Sequence, residues 1–203
     1  MTAPRPPKQT ILTRDFFSRS PDVVAPDLLG KLLLHEVNGT MQRGRIIETE
    51  AYLGQADPAS HAFSRRTAAN AVLFDAPGHT HVYLSYGVHH CMSISAHLPG
   101  AAGGVLIRAL MPQEGTEIMA HRRGSHTRTD WRFLTGGPAR VCQALGITRA
   151  DHDGMDVASR RSPLRIVDDG FTRGTIITSP RVGIQKAKER MLRFQLATPT
   201  PRP

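Results

Sequence analysis

The sequence predicts a mixed α/β domain dominated by antiparallel hairpins, on three observations. Asn38-Gly39 separates two β-prone runs, Lys31 to Val37 and Arg43 to Tyr52. Tyr86-Gly87 separates two more, His81 to Ser85 and Val88 to Ser95. Gly136-Gly137-Pro138 opens a helix-forming stretch that runs to Leu145. An Asn-Gly pair between alternating runs is the strongest short-range hairpin cue, because a tight turn needs residues that accept positive φ. Pro138 suits the first helical turn, where its missing N–H costs nothing.

The remaining elements follow in chain order. Thr13 or Asp15 caps a helix start at Thr13 to Phe17. Pro26 to Gly30 reads as a short helix ended by Gly30. Gly103-Gly104 introduces a strand over Val105 to Leu110, residues 113–122 read as helical, and 121–132 form a basic loop. Short strands are expected at Pro163 to Asp168 and Thr175 to Thr178. Residues 1–10 and 198–203 are rich in proline and polar groups and are expected to be disordered tails, leaving 11–197 as one folded domain.

Charge narrows the partners. The chain of 203 residues carries 26 Lys and Arg against 17 Asp and Glu, a net charge of +9. Such an excess favours polyanions, with nucleic acid ahead of an anionic membrane or an acidic protein. No run reaches transmembrane length and none resembles a signal-peptide core, so a cytoplasmic protein is expected. Cys91 and Cys142 lie far apart and outside any CxxC motif, as expected of reduced thiols.

Several groups could carry chemistry. In the strand 43–52, alternation puts Ile46, Glu48, Glu50 and Tyr52 on one face and Arg45, Ile47 and Thr49 on the other. The two carboxylates, with Asp57 and His61 following, could form a catalytic cluster with a general base for water. Spacing alone favours ion pairs of Glu48 and Glu50 with arginines of a neighbouring strand. Arg108, inside the apolar strand Val105 to Leu110, needs a buried anionic partner. Tyr86 at a hairpin tip is either a wedge for a base step or a ring lying back on its own hairpin. His79, His81, His89, His90 and Cys91 suggest metal, but no paired-Cys or HExxH pattern supports it. Gly137 at a helix start, with Arg140 nearby, offers a phosphate site. Arg122 and Arg123 in the basic loop offer further phosphate contacts.

At Arg45-Ile-Ile-Glu-Thr-Glu-Ala-Tyr-Leu-Gly54, with Asp57 and His61 behind it, the chain resembles the alkyladenine (3-methyladenine) DNA glycosylase family. Further matches fall in the same order: Pro77-Gly78, Val82 to Gly87, Cys91-Met92, Val105 to Leu110, Gly137-Pro138, Cys142 to Leu145, and Pro180 to Ile184. The resemblance covers about residues 26–194. It implies a single mixed α/β domain around a curved antiparallel β-sheet, with flanking helices and a projecting β-hairpin. It implies an enzyme that flips damaged purines out of double-stranded DNA and hydrolyses the N-glycosidic bond, with no metal or organic cofactor. Glu50 matches the general base. Arg108 and the carbonyl of Val182 match groups that hold the attacking water. Tyr52, His61 and Tyr83 match the residues enclosing the flipped base, whose edge a backbone group of His61 reads. Tyr86 matches the residue that fills the gap in the duplex. Ser93 departs from the pattern: the best-known members carry Asn there, which helps exclude purines with a 2-amino group. No lysine stands in the catalytic block, so water rather than an amine is the expected nucleophile, without strand cleavage. A monomer is the expected state. The competing readings are a metal-dependent nuclease built on Glu48, Glu50, Asp57 and His61, and a binding module without chemistry.

Overall fold

A computed structural model of the chain describes residues 9–197. The expected tails at 1–8 and 198–203 lie outside the described residues. The boundary at residue 10 is corrected: Thr10 and Ile11 form strand β1, paired with Asp168 and Val167.

The helices α1 (Arg14–Phe17) and α2 (Pro21–Leu28) precede the first hairpin, β2 (Leu32–Val37) and β3 (Thr40–Tyr52). Thr13 stands at the N-cap of α1, but its side chain makes no capping hydrogen bond. The expected helix at Pro26 instead begins at Pro21, which occupies the first turn; Pro26 sits inside the helix. The second hairpin is β4 (Thr80–Ser85) and β5 (His89–Ser95), followed by β6 (Gly104–Glu114). β6 runs through residues 113 and 114, expected to be helical, and the chain turns at Gly115 before α3 (Thr116–Arg122). The expected basic loop at 121–132 is interrupted by α4 (Trp131–Thr135), capped by Asp130 accepting from the Phe133 N–H. Then come α5 (Pro138–Leu145), α6 (Arg149–His152), β7 (Leu164–Asp168), β8 (Ile176–Ser179) and β9 (Arg193–Leu196).

The strands form one curled antiparallel half-barrel, in the order β1-β7-β2-β3-β6-β5-β4. β3 is its spine. One edge pairs with β6, while the other is shared by β2 at residues 40–45 and β9 at residues 48–50. The helices flank this sheet, so the expected mixed α/β domain holds.

Period-two alternation divides the sheet between core and cavity. Ala51, Val82, Met92, Ile94, Val105, Ile107 and Leu110 enter the main core. Their neighbours Tyr52, Tyr83, Cys91, Ser93, Leu106 and Arg108 line a cavity. One expectation fails at Ile46, which joins the core and not the Glu48–Glu50–Tyr52 face. The register shifts between Ile46 and Glu48, and again between Glu48 and Thr49. A bulge leaves residues without opposite partners, so it reverses which side chains face the core. Thr49, beyond the bulge, faces α2 and donates to the Ala25 carbonyl at 2.9 Å.

Candidate active site

The alternating side chains of β3, β4, β5 and β6 converge on a cavity of about 550 Å³. Its wall includes Tyr52, His61, Tyr83, Ser93, Arg108 and Val182, all named by the sequence, with Tyr86 at its hairpin border. Glu50 lies behind that wall, wholly buried. Its Oε1 accepts the Val182 N–H at 2.8 Å. Its Oε2 accepts the Tyr52 hydroxyl at 2.9 Å and faces Arg108 Nη1 at 3.2 Å. The expected group on Val182 was its carbonyl; the contact found is its N–H, brought in by the segment that follows β8.

Arg108 has the anionic partner that its apolar strand requires, and has two of them. Its Nε donates to Glu48 Oε1 at 2.8 Å while Nη1 reaches Glu50. Arg193 of β9 also donates to Glu48 Oε1, at 2.7 Å. Glu48 therefore makes the ion pairs with neighbouring strands that spacing alone suggested. Burial opposes its charge, but hydrogen bonds from Arg193 and Arg108 outweigh this and hold the carboxyl below its ordinary range. Burial, and then the adjacent Glu50, push the Tyr52 phenol well up, so it stays a proton donor to Glu50 at neutral pH.

The path from β3 to His61 is fixed by a tight turn. Gly54 has φ +61°, and a Cβ there would collide with the Ala102 carbonyl, so a larger residue is excluded. Asp57 then accepts the N–H groups of Leu53 and Ala59, each at 3.2 Å, and pairs in the interior with Arg181. Burial opposes the charge of Asp57, but the bonds from Arg181 prevail and hold its carboxyl low. Arg181 also packs its guanidinium 4.6 Å from the centre of the Tyr52 ring.

His61 stands edge-on to Tyr83, with ring centres 4.4 Å apart, and its Nδ1 lies 3.2 Å from His81 Nε2. Burial lowers the pKa of both rings, that of His81 to about 4, with His61 and Arg149 adding to the effect on His81. The wall at this side of the cavity is thus uncharged at neutral pH. The His61 carbonyl accepts from Asn70 Nδ2 at 2.9 Å, while among the described residues its N–H makes no hydrogen bond.

Tyr86 is 87% exposed at the β4–β5 tip, with φ +52°. It does not lie back on its hairpin, and Leu84 and Val88 beside it are exposed as well. A bulky residue at positive φ is strained. Gly137 precedes α5, and Pro138 reaches the cavity wall. Arg140 is exposed there, its Nη1 donating to the Arg132 carbonyl at 2.7 Å. Arg122, expected at phosphate, turns its guanidinium inward: Nη1 donates to Gln42 and to the Ala144 carbonyl, 3.0 Å away, at the end of α5. Arg123 is half-buried, bonded to Gln143 and to the Phe133 carbonyl.

The residues of the nuclease reading do not converge. Glu48, Glu50 and Asp57 each face a guanidinium, and among the described residues no group of three His, Cys, Asp or Glu side chains could hold a metal ion. Sequence reasoning weighed His81 only as a metal ligand and gave no role to Arg181. His81 sits two residues from Tyr83 on one strand face, and Arg181 is adjacent to Val182 in a matched block, so both signals were present.

The methylpurine-DNA glycosylase family model matches residues 15–200. A protein of Koribacter versatilis is 45% identical over 92% of this chain and 89% of its own length. Proteins of Burkholderia orbicola and Chlorobaculum tepidum are 43% and 42% identical, each over 92% of this chain and 88% and 87% of their own. All three bear the name "Putative 3-methyladenine DNA glycosylase". The chain belongs to the methylpurine-DNA glycosylase family, the DNA glycosylases that process alkylated purines in DNA repair. Among the described residues no helix is long and apolar enough to cross a membrane.

Proposed function

We propose that this protein flips an alkylated or otherwise damaged purine out of duplex DNA into the 550 Å³ cavity and hydrolyses its N-glycosidic bond with a water activated by Glu50. The observation that carries the reading is a wholly buried carboxylate, held at both oxygens, behind a cavity bordered by an exposed tyrosine at a hairpin tip. A stacked base is out of reach of any buried group, so extrusion is the first step and costs a few kcal/mol of unstacking. Tyr86 fills the vacated space as an intercalating wedge.

Tyr52, Tyr83 and His61 enclose the extruded purine. A cationic alkylated base gains attraction to the tyrosine faces and meets no charged imidazole. The unbonded N–H of His61 reads the purine edge. As the glycosidic bond breaks, positive charge develops on the sugar, and the Glu50 carboxylate stabilises it while accepting a proton from water. Arg108 orients the water. The Val182 N–H and the Tyr52 hydroxyl hold the carboxylate in place. Among the described residues no lysine lines the cavity, which favours water over an imine and release of the base without strand cleavage. Arg140 and the Gly137 turn bind phosphate beside the cavity. The protein acts as a monomer on double-stranded DNA and needs no cofactor.

Free base is measured by chromatography from duplexes with a single hypoxanthine or ethenoadenine, and from methylated DNA, in EDTA. Wild type is expected to release base, and Glu50→Gln to bind the lesion duplex without releasing it. Release that survives Glu50→Gln, or a well-folded wild type that releases none of these bases, overturns the proposal.

A further inference from the structure

A fully desolvated arginine stands one residue from Val182, and the proposed mechanism gives it no role. The Arg181 side chain and its partner Asp57 are both wholly buried. Nη2 donates to Asp57 Oδ1 at 2.8 Å, and Nη1 bonds both Asp57 Oδ2 and the Ala51 carbonyl, the latter at 2.9 Å. Among the described residues its Nε has no partner. The cation is thus placed without its full set of hydrogen bonds, on anchors that all lead to the site.

Each anchor holds a separate catalytic part. Ala51 lies between Glu50 and Tyr52 on β3. Asp57 organises the turn to His61, its carbonyl accepting the Ser60 N–H at 2.9 Å. The guanidinium packs on the Tyr52 ring, whose hydroxyl donates to Glu50. The backbone of the next residue donates to the other oxygen of Glu50. These segments are distant in sequence, and no sheet pairing joins 180–185 to β3. One rigid fork fixes them in register, which a flexible ammonium could not do.

We infer that Arg181, clamped by Asp57, is a positioning residue that sets the carboxylate of Glu50 by delivering the Val182 N–H to one oxygen and bracing the Tyr52 hydroxyl on the other. The inference rests on Glu50 being the base. The charged and titratable groups facing Glu50 are Tyr52 on β3, Arg108 on β6, Tyr83 on β4 and Arg181 itself. Loss of the Arg181 fork frees the backbone that carries the Val182 N–H to Glu50 and removes the brace from the Tyr52 ring.

The test uses single-turnover release of hypoxanthine from a duplex, together with affinity for that duplex and thermal melting. Arg181→Met alone strands the Asp57 charge, so the informative variants are Arg181→Lys and the charge-balanced double variant Arg181→Met/Asp57→Asn. A misplacement of about 1 Å can cost about 100-fold in rate. The double variant is expected to fall by about that factor, with Arg181→Lys about 10-fold down and duplex affinity within about threefold. If the double variant does not fold, Arg181→Lys decides by the same readouts. A folded variant with wild-type rate overturns the inference, as does a rate that falls only in proportion to the folded fraction. Glu50→Gln is run alongside; activity there overturns the general-base reading itself, a failure distinct from that of the clamp.

Discussion

Acidification should destabilise the fold through histidines that folding buries uncharged, and His35 allows the effect to be isolated. His35 on β2 is buried between the end of α5 and α6. Its Nδ1 lies 2.9 Å from the Leu145 carbonyl, and its Nε2 lies 3.1 Å from His152 Nε2. The carbonyl can only accept, so His35 carries its proton on Nδ1. The Thr148 N–H donates to His152 Nδ1, so His152 carries its own on Nε2 and donates to His35. A second proton on His35 has no acceptor. Burial is the main cause that lowers its pKa from 6.5 to about 4; the Leu145 carbonyl opposes the change, and His152 and Arg122 add to it. A histidine with a depressed folded-state pKa binds protons preferentially when unfolded. Its contribution is therefore complete above about pH 6.5 and is lost as pH falls towards about 4. At pH ~5 the loss is about 2 kcal/mol per ring, since each tenfold difference in proton affinity between the folded and unfolded chain is worth about 1.36 kcal/mol. The His81 pKa is lowered equally far, and that ring loses a similar amount.

The assay is urea unfolding of wild type and His35→Asn at pH ~7.5 and pH ~5. With a slope of about 2 kcal/mol/M, the wild-type midpoint should fall by about 1 M more than that of the variant. Comparing each protein with itself subtracts the cost of the substitution and the carboxylates common to both. Equal acid losses in the two proteins would refute the reasoning, because His35 would then titrate alike folded and unfolded.

Further predictions concern the groups proposed to meet DNA. Tyr86→Gly should stabilise the free protein by about 0.5–1 kcal/mol by removing a side chain held at positive φ, yet slow base release from duplex; melting and single-turnover rates read the two opposite signs. Arg140→Ala should reduce the slope of log affinity against log salt by about 1, whereas Arg122→Ala should lower melting temperature and leave that slope unchanged. A reduced salt slope in Arg122→Ala would contradict its inward placement. Ser93→Asn should slow release of 7-methylguanine relative to ethenoadenine, because the shorter serine leaves room for a 2-amino group; unchanged selectivity counts against this.

The sequence alone determined the hairpins, the family, and which residues on regular strands share the cavity face. These signals are local: Asn38-Gly39 fixes a turn, and alternation along β4 and β5 puts Tyr83 and Ser93 on one face whatever the rest of the chain does. Short elements such as β1, α4, α6 and β9 were missed, because two to five residues carry no readable period. The face of Ile46 was misassigned because a bulge inserts a residue without changing composition. Tertiary structure alone decided which polar groups meet. Arg122 and Arg140 look alike as sequence, but Arg122 turns inward to Gln42 and the Ala144 carbonyl while Arg140 stays exposed. The Val182 N–H, the Tyr52 hydroxyl and two guanidiniums reach their carboxylates from segments more than a hundred residues apart in part. Such pairings depend on burial, which excludes water as a competing partner and which no local pattern encodes.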